Sequence, residues 1–265
     1  TFAYGDSVKG LGRAQFTGGT STINNGEYSI VIGDTSDAGS LATHAAVFGK
    51  QNSVKAPGSI AAGELNTIDV GATLNGANSI AFGYQNTVNV DTDRGGFASG
   101  SNNLVEGSSS AAMGRNNNTI GFNSFTAGQG NEIQLNARES IALGAANTII
   151  GGARAAIALG QSSQASTDGA VAIGTSPNAQ GQDSLALGTA AVTGQGATNA
   201  VAIGDQASAT ATDAFAIGPT AAASGSRSTA LGNASEATGS SAVAIGINST
   251  ANGTNSLALP GATTN

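Results

Sequence analysis

The chain has few side chains that could carry out chemistry, and they lie far apart in the sequence. His44 is the only histidine among the 265 residues, and there is no cysteine. A lone histidine with no second ligand or base nearby in sequence is not a catalytic constellation, so we predict that His44 is a solvated turn residue. The absence of cysteine excludes disulfides and thiolate metal sites. The sequence therefore predicts no catalytic residue, no metal site and no cofactor.

Two short stretches resemble fragments of ligand-binding loops. The letters DTDRGG at 91–96 contain Asp-x-Asp followed by glycine, as in a calcium loop, but the remaining ligands of such a loop are missing. The letters GQGN at 128–131 are glycine-rich, but no lysine follows them and no helix is indicated. We therefore expect a polar insertion loop at the first stretch and an ordinary turn at the second.

The composition excludes several classes of protein. Nine basic and 16 acidic residues give a net charge of -7, and only 9% of the residues are charged. Nucleic-acid binding depends on clustered Lys and Arg, so no nucleic-acid partner is expected. No apolar run approaches the roughly 20 residues that cross a bilayer, so we expect no membrane insertion by this segment. Apolar residues, at 39%, nevertheless recur in a regular pattern, which disordered chains lack.

A pentapeptide that ends in glycine recurs along the whole chain. Clear copies are SIAFG at 79–83, SIALG at 140–144 and AVAIG at 200–204, and the commonest interval between their glycines is 14 residues. Weaker copies include the frame-slipped AQFTG at 14–18, and in SLALP at 256–260 proline replaces the glycine. Large and small side chains alternate with period two inside each copy, which indicates a β-strand. The column of glycines itself is expected to provide backbone room at a tight turn.

A recurrent apolar residue five positions after the glycine indicates a second strand in each repeat. Polar neighbours such as Thr67 and Asp69 around Ile68 predict that this strand buries one face and exposes the other. The recurrent residues are Ile23, Ala38, Val54, Ile68, Val88, Val105, Ile133, Ile149, Ala165, Ala179, Ala209, Ala223, Ala237 and Ala251. Each repeat of about 14 residues thus forms one coil of a β-solenoid. We predict an all-β, parallel β-roll that is a single repeat domain over residues 1–265.

The first strand of each repeat is apolar at every position. In 200–204 the large residues are Val201 and Ile203, at positions two and four of the pentapeptide. In several copies the side chain at position four is large where the side chain five positions after the glycine is small, and the reverse. This compensation predicts that Ile203 and its equivalents lie in a dry layer between the two strands. The other apolar face would remain uncovered, and another copy of the chain is its simplest cover.

The repeats resemble those of a known family. NSIAFGYQN at 78–86, NAVAIGDQA at 199–207 and SAVAIGINS at 241–249 are similar to the motif Asn-Ser-Val-Ala-Ile-Gly-x-x-Ser of YadA-like heads. These are the head domains of trimeric autotransporter adhesins of the Yersinia adhesin type. The resemblance covers essentially the whole chain, although no copy matches all nine motif positions.

This resemblance implies a left-handed parallel β-roll that assembles as a homotrimer. It further implies a non-catalytic adhesin head that attaches to extracellular matrix proteins, host cells or abiotic surfaces. The head would be held at the surface of a Gram-negative bacterium, anchored in the outer membrane through a stalk and a membrane-anchoring part outside this segment.

Two insertions, near 71–79 and 91–96, interrupt the short turns of adjacent coils. Long loops on a rigid scaffold are where recognition usually occurs, so their polar residues are the candidate ligand contacts. Insertions also cost little stability, so drift without function stays an open alternative. The candidate contacts are Thr73, Asn75, Asn78, Asp91, Asp93 and Arg94.

Two other functions stay open as alternatives. The first is a polysaccharide-active enzyme on a β-solenoid, which the short coil and the aromatic content of only 4% disfavour. The second is an ice- or mineral-binding solenoid, for which SATAT at 208–212 supplies a single strand and not an array of threonines.

Overall fold

A computed structural model describes residues 1–69, 78–90 and 94–260, together with a strand at 263–264. Every regular element in these residues is a β-strand. The described residues therefore contain no helix long and apolar enough to span a membrane. The chain is a parallel β-solenoid of about 18 coils with about 14 residues per coil, as the repeat predicts. The left-handed sense of winding stays a prediction.

The chain divides into two compact units, Thr1–Glu132 and Ile133–Asn265. Each unit repeats one pattern, in which a strand that contains the pentapeptide (the A strand) is followed by a shorter strand (the B strand). Both units thus have the same coil, and the description of residues 1–265 as one domain stays a prediction.

The strands of the first unit alternate between the two types. Its A strands, which with the exception of β3 begin at position two of a pentapeptide, are β1 (Phe2–Asp6), β3 (Phe16–Thr20), β5 (Ile30–Asp34), β7 (Ala46–Lys50), β9 (Ile60–Glu64), β11 (Ile80–Tyr84), β13 (Phe97–Ser101), β15 (Ala111–Arg115) and β17 (Phe125–Gln129). Its B strands are β2 (Lys9–Gly10), β4 (Ile23–Asn24), β6 (Asp37–Ala38), β8 (Ser53–Val54), β10 (Thr67–Asp69), β12 (Thr87–Asn89), β14 (Leu104–Val105) and β16 (Asn118–Thr119). A further B strand, β18 (Glu132–Ile133), contains the boundary between the units.

The second unit continues the alternation. Its A strands are β19 (Ile141–Ala145), β21 (Ile157–Gln161), β23 (Val171–Thr175), β25 (Leu185–Leu187), β27 (Val201–Ile203), β29 (Phe215–Ile217), β31 (Thr229–Leu231), β33 (Val243–Ile245) and β35 (Leu257–Ala258). Its B strands are β20 (Thr148–Ile149), β22 (Gln164–Ala165), β24 (Asn178–Ala179), β26 (Val192–Thr193), β28 (Ser208–Ala209), β30 (Ala222–Ala223), β32 (Glu236–Ala237), β34 (Thr250–Ala251) and β36 (Thr263–Thr264).

Equivalent residues of successive coils pair in parallel and in register. In β27 and β29, Ala202 lies beside Ala216 and Ile203 beside Ile217. Parallel pairing places like side chains directly above one another, about 4.8 Å apart. A sequence position of the repeat therefore becomes a column of the structure, and each column has one environment.

The interior of a coil is narrow and contains mainly small side chains. Positions one and three of the pentapeptide point inward, so Ala200 and Ala202 have no exposed surface. They face the residue five positions after the glycine, which is Ala209 in this coil and is also fully buried. Thirteen of the fourteen residues predicted for this second column are buried, which confirms it. Larger members such as Ile68 and Val88 occur mainly in the first unit.

Two predictions about the interior are wrong. Position four points outward, so Ile203 is half-exposed and shares no layer with Ala209. In the second coil the register places Gly19, and not Gly18, beside Gly5 and Gly33. The frame of the copy at 14–18 therefore shifts by one residue. As a result Ile23 is 38% exposed, and Asn24 is the buried residue.

A column of buried asparagines closes one corner of the coils in the first unit. Asn117, three positions after the glycine, donates from Nδ2 to the carbonyl oxygens of Met113 at 2.9 Å and Gly128 at 3.0 Å. Its Oδ1 accepts hydrogen bonds from the backbone N and from Nδ2 of Asn131 in the next coil, both at 3.0 Å. Buried backbone groups at this corner are satisfied in this way. The column consists of Asn52, Asn66, Asn86, Asn103, Asn117 and Asn131.

The column of motif glycines is explained by the stacking of coils. Gly114 has a φ of 113°, and a Cβ added there would overlap with the carbonyl oxygen of Gly128 in the next coil. The prediction that the glycines provide space for the backbone is confirmed. The space lies near the end of an A strand, where the backbones of successive coils come into close contact. The turns themselves use non-glycine residues in the left-handed region, such as Asn116 and Asn123 with φ of 56° and 52°.

Candidate functional site

Each unit carries a continuous apolar surface formed by the side chains at positions two and four of its pentapeptides. We call this surface the apolar face. In the second unit it consists almost entirely of Leu, Ile and Val, and its exposed members include Phe215 at 42%, Ile217 at 36% and Leu231 at 42%. These side chains point away from the interior because positions one and three occupy it. A large exposed apolar surface marks an interaction site.

In several A strands of the first unit, the volumes of positions two and four of the pentapeptide compensate one another on the apolar face. In β13 and β17 an outward Phe at position two is followed by a small residue at position four, as in Phe97 with Ser99. In β7 and β15 the order is reversed, as in Ala46 with Phe48 and Ala111 with Met113. Such compensation is typical of side chains that fill a closed space. This signal is visible in the sequence, but it becomes meaningful only when both positions are known to share one face.

The opposite surface, formed by the outward residues of the B strands, is polar. In β10 and β12 the outward residues are Thr67, Asp69, Thr87 and Asn89, all of them partly exposed. The prediction that this strand buries one face and exposes the other is confirmed. The next outward residue in the threonine row is Leu104, so the row is interrupted.

The predicted contact residues are only partly within the described chain. Thr73, Asn75, Asp91 and Asp93 lie outside the described residues. Asn78 and Arg94 are both exposed and lie at the corner that leads into an A strand, in successive coils. Asn78 has a φ of 64°, and its backbone N donates to the carbonyl oxygen of Pro57 at 2.9 Å. The role of all six residues in ligand contact stays a prediction.

His44 is an exposed turn residue, as predicted. Its φ is 57°, and its ring stacks on that of Tyr28 in the preceding coil, with centroids 5.1 Å apart and planes at 11°. The GQGN stretch is also an ordinary turn, since Gly130 has a φ of 66° and Asn131 belongs to the asparagine column.

Two ionisable groups with shifted pKa values, Asp37 and Lys55, lie on the B-strand surface of the first unit. Burial raises the pKa of Asp37 above its ordinary value of 3.8, and the positive charge of Lys55 lowers it in part. Lys55 itself is held by Asp69, whose Oδ2 lies 2.8 Å from Nζ, and this hydrogen bond raises the pKa of the lysine. The described residues contain no group of three or more His, Asp or Glu that could hold a metal ion. The charge of Lys55 links its coil to the coils of Asp37 and Asp69.

Comparison with known proteins supports the resemblance seen in the repeats. A family model described as the YadA head domain repeat, in two copies, matches the chain at 75–91, 153–176, 179–207, 196–221, 209–235 and 237–259. Five of these six segments lie in the second unit, where the pentapeptide is most regular. A search of curated proteins found no match.

Proposed function

We propose that this chain, which carries YadA head domain repeats, is the head of a bacterial surface adhesin. Membership of the YadA head family implies an adhesin-type function in trimeric autotransporters. The proposal extends this to a non-catalytic homotrimer that attaches a Gram-negative cell to host cells, extracellular matrix proteins or abiotic surfaces. It also places the head outside the outer membrane, held there by parts of the protein beyond this segment.

The observation that carries the proposal is the apolar face. Its rows of half-exposed Leu, Ile, Val and Phe side chains, such as Phe215 and Ile217, repeat in register along each unit. Burying apolar surface stabilises by roughly 25 cal/mol for each Å² removed from water, so a repeated row supplies a large driving force for association. Identical chains carry identical rows at identical spacing. A closed ring of copies would therefore cover the apolar face coil by coil.

The B-strand surface supports the adhesive part of the proposal. Association through the apolar face would leave this polar surface in contact with solvent, available to a second cell or a matrix. Its side chains are mainly Ser, Thr, Asn and Gln, as at Ser53, Thr67 and Gln164, with few charges. Such a surface offers many hydrogen-bonding groups without strong electrostatic repulsion.

The proposal is tested by the mass and the binding of the purified chain. Sedimentation equilibrium over a range of concentrations should give three times the chain mass of 25.4 kDa. The same preparation, labelled with a fluorophore, is then screened against immobilised matrix proteins, cultured cells and bare polystyrene.

We expect a trimer that adheres to at least one of these surfaces. A chain that stays monomeric at every concentration contradicts the homotrimer. A trimer that binds none of the three surfaces contradicts the adhesin. Thermal hysteresis in the same samples would support the ice-binding alternative, and cleavage of a polysaccharide panel would support the enzymatic one.

A further inference from the structure

Four successive coils of the second unit differ in length and so create a groove. The intervals between their motif glycines, from Gly144 to Gly204, are 16, 14, 14 and 16 residues. The two extra residues of each long coil lie in the corner between the B strand and the next A strand, at 151–155 and 195–199. Two short coils therefore lie between two protruding corners. At about 4.8 Å per coil, the gap is about 10 Å wide.

The groove contains two adjoining depressions lined mainly by amide and hydroxyl side chains. One, of about 390 Å³, lies beside Gly151 and Gly152, and the other, of about 360 Å³, extends from Ile150 to Gln195. Ser166 and Thr167 line both depressions and form the shared floor. We call this feature the amide groove, and its other polar lining residues are Gln164, Asp168, Gln180 and Gln182.

The polar side chains of the amide groove are available to a ligand. Within the described residues, the side chains of Gln164, Ser166 and Gln180 make no hydrogen bond to the protein, and all three are partly exposed. The same holds for the exposed side chains of Gln182 and Gln195. Each glutamine offers one acceptor and two donors, so this cluster presents many mixed hydrogen-bonding groups within one groove.

The backbone of the amide groove is held in place before any ligand binds. Asp168 accepts a hydrogen bond from the backbone N of Arg154 through Oδ1 at 2.8 Å, which ties the first protruding corner to the floor. The backbone N of Gly151 donates to Oε1 of Gln134 at 3.0 Å, and that of Gln180 to Oγ1 of Thr193 at 3.1 Å. A preformed groove loses less conformational entropy when a ligand is bound.

We infer that the amide groove binds a neutral oligosaccharide. Sugar hydroxyls are both donors and acceptors, as are the groups of Gln164, Ser166 and Gln180, and the half-exposed Ile150 can contact the C–H face of a pyranose ring. The inference rests on the proposed adhesin function, because it names the ligand class for one part of the adhesive surface. Three copies in a trimer would present three grooves, so weak sites would act together on a glycan-coated surface.

The chemistry of the groove favours this ligand over two others. An anionic glycan would meet the carboxylate of Asp168 within a chain whose net charge is -7. An extended peptide would require aromatic anchors or an open strand edge. The lining contains no aromatic side chain, and β22 and β24 already pair with each other in the floor.

The test compares two double variants that have identical composition. Gln164→Ala/Gln180→Ala removes two amides from the groove, and Gln161→Ala/Gln206→Ala removes two exposed amides from the opposite corner. The parent and both variants, matched by circular dichroism and melting temperature, are applied to an array of uncharged hexose and N-acetylhexosamine oligosaccharides with sialylated and sulfated counterparts. The affinity of each glycan that binds is then measured in solution.

We expect the parent to bind uncharged glycans, and the groove variant to lose at least about tenfold in affinity, because each lost hydrogen bond contributes of order one kcal/mol. The opposite-corner variant should bind like the parent. A single substitution, Ser166→Tyr, which fills the floor, should abolish binding as well.

Three results would overturn the inference. In the first, the parent binds no uncharged glycan. In the second, the groove variant binds glycans as tightly as the parent does. In the third, the parent binds a proline-rich extended peptide directly and the groove variant does not. Adhesion of the same parent sample to cells, matrix or polystyrene separates the two proposals. A parent that adheres without binding glycans refutes only the groove, and one that does neither refutes the proposed function as well.

Discussion

Ala202 and Ile203 are neighbours in β27 but have opposite environments. Ala202 has no exposed surface, whereas Ile203 is half-exposed on the apolar face. The two strands of a coil face each other across side chains as small as Ala202 and Ala209, so the interior has no room for a longer side chain. At the scale of single residues, size thus decides which apolar side chain points inward.

We predict that Ala202→Leu destabilises the chain strongly. The added atoms have no space between Ala209 and the stacked alanines of adjacent coils, and overpacking typically costs about 1–3 kcal/mol. Ala222→Leu is the matched control, because Ala222 points outward in β30 and such surface changes usually stay within about half a kcal/mol. Thermal melts of both variants and the parent measure the effect, and equal melting of the two variants would contradict a narrow interior.

Asp37 is the residue for which the structure predicts a dependence on pH. Burial disfavours its charged form, and Oδ1 is a buried atom without a hydrogen-bond partner. Its pKa in the folded chain is therefore above the unfolded value near 3.8. Between these two pKa values the folded chain binds more protons than the unfolded chain, so this group stabilises the fold less as the pH rises through that window.

We predict that Asp37→Asn raises the melting temperature at neutral pH, because the amide removes a partly buried charge. Below pH 3.8 the parent carries a neutral carboxyl in both states, so the difference between variant and parent should shrink there. Melting curves from acid to neutral pH measure this. A variant that is less stable than the parent at neutral pH would show that attraction to Lys55 outweighs the effect of burial.

At the scale of elements, the residue three positions after the glycine often ties its A strand to the next coil. Where it is asparagine, Nδ2 bridges the strand to the glycine carbonyl of the next coil, and strands such as β15 contain five residues. Ser163 makes a similar bridge to Leu159 and Gly174. This bridge is not what sets the strand length, because Pro177 has no such group and its strand β23 also contains five residues. The strands β25 to β33 contain three residues, with Ala or Ser at the equivalent positions.

We predict that Asn117→Ala destabilises the first unit by about 1–3 kcal/mol, because it removes hydrogen bonds from buried partners in three coils. These partners include Oδ1 of Asn103 and the carbonyl oxygen of Gly128. The control is Asn116→Gly at the adjacent, exposed position, because glycine tolerates the left-handed φ of 56° found there. Hydrogen exchange and denaturant melts should place the larger loss in the buried variant, and similar losses in both would contradict a structural role of the column.

At the scale of the whole molecule, each unit has one apolar and one polar surface. A solenoid is held together by contacts between neighbouring coils, so its stability does not require that either surface be covered. The apolar face is thus free to serve association, and the B-strand surface to serve recognition. Because folding does not depend on association, one charged substitution on the apolar face can test the proposed trimer.

We predict that Ile203→Asp prevents association without unfolding the chain. A carboxylate on the half-exposed face stays hydrated in the monomer, but it would be buried without a partner between copies, at a cost of several kcal/mol. Thr210→Asp is the control, since it adds the same charge at an exposed residue that follows β28. Sedimentation should give a monomer for the first variant and a trimer for the second, with unchanged circular dichroism in both. Unfolding of the first variant would show that position four is part of the interior after all.

Much of the fold is determined by the sequence alone. The 14-residue spacing of glycine and the alternation inside the pentapeptide predict a solenoid with two strands per coil, because backbone periodicity depends only on local geometry. The burial of Ile68 and Val88 in the second strand is predictable for the same reason, since their neighbours are polar. A family of repeats is also recognisable at this level, and the matched segments agree with it.

Only the tertiary structure decides which face of the A strand is inside. Alternation with period two defines two faces but not their environments when both are apolar. Side-chain volumes alone predict that Ile203 is in the interior, whereas the structure places it on the apolar face. The register that places Gly19 beside Gly5 and Gly33, and the hydrogen bonds of the asparagine column, are likewise decided by the stacking of coils. The amide groove likewise arises from the stacking of long and short coils, since residues 14 or 16 apart become neighbours only across the coil spacing.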